Sequence, residues 1–239
     1  MEISPDTIII FKWNGIHINA TIIFTWVVMA ILFFISWMAT KNLTIGPRIT
    51  RWQNFLEVII GYMRQQVKEI TQQNPDLFIH FLGTLFLFIS ISNLLTIIPG
   101  YQPPTGSLST TSALAICVFF AIPIFGISKK GAKAYFKHYL EPSIFMMPFN
   151  VIGDFSRTLA LAVRLFGNVM SGSLIVAVLL VITPLFIPIV MQVLGLLIGQ
   201  IQAYIFTVLA TVYIASATRI ENKPNKIVLE QKEGSKEDE

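Results

Sequence analysis

The sequence has little charge and almost no cysteine. Only 13% of its 239 residues are Asp, Glu, Lys or Arg, whereas a soluble domain has about 25%. The single cysteine, Cys117, excludes a disulfide framework and a cysteine-based metal cluster, and we expect no metal or other cofactor. Hydrophobic residues make up 54% of the chain. This composition predicts a polytopic membrane protein.

Signals for export and for nucleic-acid binding are also missing. The first twenty residues lack a basic region and a small-residue cleavage site, so we expect the first apolar span to be a retained anchor. The net charge of +4 comes from the loops and the tail. It therefore bears on membrane topology, and we expect a lipid bilayer but no nucleic acid as a partner.

Apolar segments long enough to cross a bilayer alternate with basic loops. About 20 apolar residues in a helix span the hydrocarbon core. The sequence predicts an all-α fold in which residues 1–239 form a single membrane domain. Its predicted parts are transmembrane helices at 20–40, 77–98 and 107–128, an amphipathic surface helix at 50–73, two long helices at 143–182 and 186–219, and a polar tail at 222–239. A cytosolic linker helix is the alternative for residues 50–73.

The charge pattern decides how often the chain crosses after residue 137. The basic loops at 41–75 and 129–137 share one side if the first three spans alternate, and the positive-inside rule places the basic tail there too. Two further crossings satisfy this, with a turn at Thr183–Pro188. Each helix is then about 35–38 residues long, so it must tilt strongly or project from the bilayer. We predict five crossings, with the N-terminus outside and the C-terminus in the cytoplasm.

The first of the two long helices carries ionisable side chains inside an apolar region. Positions that follow one another in steps of three and four share one helix face; they are Asn150, Asp154, Arg157, Leu161, Arg164, Asn168 and Ser171, all polar except Leu161. Asp154 and Arg157 have i,i+3 spacing and are predicted to pair.

Arg164 has no acidic residue three or four positions away. A guanidinium cannot lose its charge by deprotonation, and at the bilayer centre it costs about 2.5–3.5 kcal/mol on insertion scales. We therefore predict that its counter-charge belongs to another protein. The alternative is an arginine that reaches the membrane interface or serves as a structural hydrogen-bond donor.

The last helix carries a second polar stripe. Gln192, Gly195, Gly199 and Gln202 follow one another in steps of three, four and three. Glycines at this spacing allow a close helix approach, and simple packing remains an alternative to a functional role. A buried amide needs hydrogen-bond partners, so Gln202 is predicted to face the polar stripe of the preceding helix.

Three segments carry a family resemblance: RLFGN at 164–168, QAYIF at 202–206 and SNLLTIIP at 92–99. Over roughly residues 20–220 the chain resembles subunit a of the F-type ATP synthase membrane sector. The runs MEISPD, PGYQPPTGSLSTT and SRTLALAVRLFGNVMSG are similar to its alternative, N-type branch. The resemblance implies a subunit that is not an enzyme in isolation, located in the plasma (inner) membrane of a bacterium or archaeon.

The resemblance also implies partners and a mechanism. A ring of c subunits, each with a mid-membrane carboxylate, rotates against subunit a, and b-type peripheral stalk subunits and the rest of the synthase complete the assembly. Arg164 matches the family's stator charge, which separates two ion half-channels. Asn168 and Gln202 match positions beside it, and Asn93 matches an asparagine of the outer half-channel. Further candidate half-channel residues are Ser173, Gln192, Asn150, Asp154 and Arg157.

The chain departs from better-known members of the family. Ser173 and Gly195 stand where many members have a titratable residue, and only Asp154 of the usual acidic pair is kept, beside Gly153. From residue 165 to 218 there is no Asp, Glu, His or Lys. Neutral oxygens suit a hard cation, so we predict sodium as the transported ion, with proton transfer along water as the alternative.

Other functional classes fit the sequence less well. A secondary transporter predicts an internal repeat with paired broken helices, and the charged stretch occurs only once. An ion channel remains a further alternative. An intramembrane hydrolase is disfavoured because the sequence has no HExxH motif and no convincing serine–histidine arrangement.

Overall fold

A computed structural model describes residues 9–13, 16–41, 51–98, 100–133, 135, 146–183 and 187–218. A short hairpin of strands β1 (Ile9–Trp13) and β2 (Ile16–Asn19) precedes six long helices. The helices are α1 (Ala20–Thr40), α2 (Arg51–Thr71), α3 (Asp76–Leu94), α4 (Leu108–Lys130), α5 (Met146–Ile182) and α6 (Ile187–Thr218). The predicted polar tail at 222–239 lies outside the described residues.

The predicted all-α, polytopic membrane class is confirmed. Within the described ranges, all the long helices except α2 are long and apolar enough to cross a membrane. The antiparallel hairpin that ends at Asn19 is the one departure from an all-helical chain among the described residues, and it directly precedes α1. It adds two short strands without changing the class.

The core lies where α3, α4, α5 and α6 meet. It contains large apolar side chains from all four helices, among them Phe78, Leu82 and Ile89 of α3, Val118 and Ile122 of α4, Leu161 and Leu165 of α5, and Phe206 and Ile214 of α6. Lipid chains are as apolar as these side chains, so close packing and interhelical hydrogen bonds hold such a core together. It therefore fixes the rotation of each helix about its own axis.

Helix α2 differs from the other five because it is not apolar enough to cross a membrane. Met63 and Val67 are buried, whereas Val58 and Tyr62 are exposed. Two polar contacts attach the helix to the bundle: Arg64 pairs with Asp76 at the start of α3, and the hydroxyl of Tyr204 on α6 donates to Gln66 Oε1 at 3.0 Å. Its placement on the membrane surface stays a prediction.

Helices α5 and α6 are long, with 37 and 32 residues. At about 1.5 Å per residue they extend roughly 55 and 48 Å, well beyond the ~30 Å hydrocarbon core. Both carry many exposed large apolar side chains, including Phe155 and Val178 of α5 and Val193 and Leu197 of α6. Their predicted tilt is compatible with these lengths, and the site described below lies along this pair.

Candidate functional site

Arg164 lies on the open face of α5. Thr158, Leu161, Ala162 and Leu165 are buried against the core, and their i, i+3, i+4, i+7 spacing defines the packed side of the helix. Arg164 is exposed on another side, next to an open surface at Gly167, where an added Cβ would meet nothing within 4 Å. Within the described part of the chain Arg164 forms no ion pair. The core therefore presents a guanidinium outward without supplying its counter-charge.

One helical turn beyond Arg164, α5 is joined to α6 by a pair of amides. Asn168 Nδ2 donates to Gln202 Oε1 at 2.9 Å, which is the contact between the two stripes that their spacing predicts. Gln202 is only 2% exposed. Its Nε2 is buried and has no hydrogen-bond partner among the described residues. A buried, unsatisfied amide donor costs about 1–3 kcal/mol, so the pairing with Asn168 leaves one donor of Gln202 unused within the described part of the chain.

A cavity of about 550 Å³ opens beside this amide pair. It lies between residues 168–180 of α5, residues 191–199 of α6 and the 100–106 turn that connects α3 to α4. Four candidate residues line it: Asn93, Asn168, Ser173 and Gln192. Every lining residue is uncharged. The cavity therefore offers amide, hydroxyl and backbone groups to an ion, and no side-chain charge.

Asn93 lines this cavity, but its side chain is already engaged in a helix junction. Its Nδ2 donates to the Gly199 carbonyl at 2.8 Å, and its Oδ1 accepts from Thr105 Oγ1 at 3.0 Å. A Cβ on Gly199 would lie 3.1 Å from Asn93 Cβ. Gly199 therefore serves the close approach of α6 to α3, whereas Gly195 has nothing within 4 Å and faces the cavity.

The polar side of α6 contacts two different parts of the chain, the end of α3 with the residues after it and helix α5. Gln192 Nε2 donates to the Thr96 carbonyl at 2.8 Å, so Gln192 and Gly199 face the end of α3 while Gln202 faces α5. Beside them, Gln200 Nε2 donates to the Ser90 carbonyl at 3.0 Å and Ser90 Oγ donates to Gln200 Oε1 at 2.5 Å. This reciprocal pair could not be predicted from the sequence, because Ser90 and Gln200 lie 110 residues apart.

The remaining candidate residues lie in the first half of α5. Asp154 and Arg157 form the predicted pair, with Arg157 Nη1 3.5 Å from Asp154 Oδ1 and side-chain exposures of 21% and 57%. Asp154 also lines a smaller cavity of about 170 Å³, which α4 closes with Phe119, Ile122, Pro123 and Ile127. Asn150 lies one turn before Asp154 and is half-buried. Ten residues separate Asp154 from Arg164, or about 15 Å along the helix.

The side chain of Ser173 is oriented by a hydrogen bond to the backbone of its own helix. Its Oγ donates to the Val169 carbonyl at 2.5 Å, and Ser171 Oγ donates to the Asn168 carbonyl at 3.2 Å. Both hydroxyls line the large cavity, and each oxygen keeps its acceptor capacity because the proton points back to the backbone. Together with Asn168 they form a short row of neutral oxygens on the C-terminal side of Arg164 along α5.

Comparison with known proteins places these features in a family. The sequence model described as "ATP synthase A chain" matches residues 22–215. "ATP synthase subunit a 2" of Acaryochloris marina is 57% identical over 221 residues, which cover 92% of this chain and 94% of the relative. "ATP synthase subunit a 2" of Picosynechococcus is 53% identical over 231 residues, covering 97% and 99%. "ATP synthase subunit a" of Albidiferax ferrireducens is 54% identical over 219 residues, covering 92% and 95%.

Proposed function

The chain belongs to the ATP synthase A chain family, and we propose that Arg164 is the fixed charge against which it moves a cation between two half-channels. As a subunit a it is a multi-pass membrane protein that works within the ATP synthase complex and is not an enzyme on its own. The proposal concerns how this stator subunit acts and which ion it carries.

The observation that carries the proposal is the exposed, unpaired guanidinium of Arg164. A carboxylate at about 4 Å would interact with it by roughly 4 kcal/mol at an effective dielectric constant of about 20. That is comparable with the roughly 2.5–3.5 kcal/mol that an arginine costs at the bilayer centre. We propose that the mid-membrane carboxylates of a ring of c subunits supply this charge one after another. The small residues Ala160 and Gly167 beside Arg164 leave room for the ring to approach.

The two cavities support the assignment of the half-channels. The large, uncharged cavity begins at Asn168, four residues after Arg164, and the small cavity ends at Asp154, ten residues before it. Arg164 thus lies between them along α5. We propose that the large cavity with Asn93, Asn168, Ser173 and Gln192 is the outer half-channel. Asn150, Asp154 and Arg157 would then flank the inner one, and Gln202 would hold Asn168 beside the stator charge.

The uncharged lining favours sodium as the transported ion. Hard cations take oxygen ligands, and the large cavity supplies amide, hydroxyl and backbone oxygens without a titratable carboxylate or histidine. The similarity to the N-type branch agrees with this choice. Proton transfer along water is the second candidate, because it needs no titratable side chain in the wall.

The topology and the remaining partners complete the proposal. We propose that the N-terminus lies outside and the C-terminus in the cytoplasm, with α5 and α6 strongly tilted along the ring. This tilt would fit helices of 37 and 32 residues to the bilayer. It would also turn the exposed apolar side chains of both helices toward ring and lipid. b-type peripheral stalk subunits would hold the chain still while the ring turns.

The test is Arg164→Ala in the complete complex, reconstituted into sealed vesicles. We expect ATP-driven cation uptake to disappear while the complex still assembles, because the exposed side chain forms no ion pair with the described residues. Arg164→Lys should fail or nearly fail as well, since an ammonium does not reproduce the planar donor fork of arginine. Arg157→Ala removes an exposed arginine from the same helix that is paired with Asp154; as the comparison variant it should lose much less uptake than Arg164→Ala. Substantial coupled uptake by either Arg164 variant would refute the proposal.

A further inference from the structure

Three buried oxygens near the large cavity have no role in the proposed mechanism. They are Ser92 Oγ at the end of α3, and Tyr101 OH and Gln102 Oε1 in the turn that follows. Apart from the contact between the Tyr101 and Ser92 hydroxyls, none of them has a hydrogen-bond partner among the described residues. Ser92 is 0% exposed, and Tyr101 and Gln102 belong to the lining of the cavity. Buried polar atoms are normally satisfied, so three neighbouring exceptions point to something that binds there.

The surroundings hold these oxygens in place without satisfying them. The Tyr101 ring stacks edge-on against Phe24 of α1, with centroids 4.9 Å apart, and the Tyr101 amide donates to the Ile98 carbonyl at 3.1 Å. Next to Ser92 in the chain, the side chain of Asn93 is hydrogen-bonded to Gly199 and Thr105. The turn is therefore held at Tyr101 and at Asn93, and the Tyr101 and Ser92 hydroxyls lie next to each other.

The chemistry of the three groups limits what they can bind. Burial raises the pKa of the Tyr101 phenol well above its usual range, and the nearby Ser92 hydroxyl opposes that rise only in part. The phenol therefore stays neutral, and the group offers two hydroxyl oxygens and one amide oxygen. A neutral set of oxygens beside an aqueous cavity suits water or a hydrated monovalent cation, because hard cations favour oxygen ligands. It does not suit an anion, since the amide oxygen can only accept.

We propose that Tyr101 and Gln102 on the wall of the large cavity, together with the buried Ser92 hydroxyl beside Tyr101, form a hydration station where the transported cation and its water are held before they reach Asn168. This inference rests on the proposed function, since it extends the outer half-channel beyond the residues assigned there. Tyr101 and Gln102 lie in the connection between α3 and α4 and line the same cavity as Ser171 and Ser173. The station would thus extend the path of the cation from the α3–α4 turn to the neutral oxygens of Asn168, Ser171 and Ser173 on α5.

The first experiment asks whether water reaches Ser92. The exposed native thiol is removed by Cys117→Ser, and Ser92→Cys is introduced in that background. Silver ions bind thiols and reach them only through water, so we expect silver to block coupled transport by Ser92→Cys. Val118→Cys, which is equally buried at 0% exposure but surrounded by apolar side chains, is the control and should be insensitive. Silver resistance of Ser92→Cys, or equal sensitivity of both variants, would overturn the proposal.

The second experiment asks whether the station binds the ion. ATP synthesis by reconstituted complexes is measured against the cation concentration on the side opposite the nucleotides. Sodium is varied at fixed pH in one series, and pH is varied at fixed sodium in the other. Tyr101→Phe removes one hydroxyl and should raise the half-saturating concentration of the transported ion about 2- to 10-fold. If the ion is sodium, this change is seen when sodium is varied. If the ion is the proton, it is seen when pH is varied. Tyr213→Phe is the control: it removes a phenol hydroxyl near the C-terminal end of α6, outside the cavity lining, and should change neither series.

The outcomes separate this inference from the function on which it rests. If Arg164→Ala still pumps, the stator assignment itself is wrong. If Arg164→Ala is inactive but Tyr101→Phe leaves both concentration series unchanged, only the station is refuted.

Discussion

Gly199→Ala is the substitution whose effect the structure defines most closely. The new Cβ would lie 3.1 Å from Asn93 Cβ and 3.2 Å from its Cγ and Nδ2, whereas favourable carbon contacts lie at about 3.5–4.0 Å. Helices α3 and α6 must then separate by several tenths of an ångström. Such overpacking costs about 1–3 kcal/mol, and it stretches the 2.8 Å hydrogen bond from Asn93 to the Gly199 carbonyl.

Gly195→Ala is the matched control. It lies one turn earlier on the same stripe, and its Cβ would meet nothing within 4 Å. Both substitutions gain the helix propensity of alanine over glycine, about 1 kcal/mol in a helix interior, so this gain cancels when the two variants are compared. The difference between them isolates the contact with Asn93 and should be about 1–3 kcal/mol.

The assay is the midpoint temperature at which the purified complex loses activity on heating. We expect Gly199→Ala to have a lower midpoint than Gly195→Ala, and its coupled transport to be impaired as well, because Gln202 lies three residues further along α6. Equal midpoints, or a higher midpoint for Gly199→Ala, would show that α3 and α6 are not in close contact at this position and would refute the reasoning.

Two further predictions concern the charges and the ion. Asp154→Asn should impair coupled transport less than Arg164→Ala. The loss in the double variant Asp154→Asn/Arg157→Ala should be smaller than the sum of the losses in its single variants, because the two side chains pair. Strictly additive losses in vesicle uptake would show that they act separately. ATP hydrolysis by the purified complex should rise with sodium concentration, and sealed vesicles should accumulate sodium-22. Hydrolysis indifferent to sodium, together with lumen acidification that a protonophore abolishes, would identify the proton instead.

Features that depend on neighbouring residues could be predicted from the sequence. Apolar length alone predicts the five membrane-crossing helices, because about 20 apolar residues are needed to span the hydrocarbon core. The pairing of Asp154 with Arg157 follows from i,i+3 spacing on one helix, and the pair is present at 3.5 Å. The absence of an acidic residue near Arg164 is likewise visible in the chain. What each residue does in transport stays a prediction.

The contacts of Asn93 and Gln192 required the tertiary structure. Asn93 was predicted as a half-channel residue, and it lines the cavity, yet its side chain is bound to Gly199, 106 residues away. Gln192 was placed on one stripe with Gln202, but it binds Thr96 instead of α5. Spacing along a helix tells which residues share a face, and it does not tell which neighbour that face meets.

The sequence by itself thus determined the helices, the local ion pair and the family motifs. Tertiary packing decided which polar groups are satisfied. Ser92, Tyr101 and Gln102 look ordinary in the sequence, and they become notable only because the fold buries their oxygens and the rest of the described chain offers them no hydrogen-bond partner. Hydrogen-bond satisfaction depends on every atom within about 3 Å. Helices far apart in the chain supply most of those atoms, so no local pattern records the result.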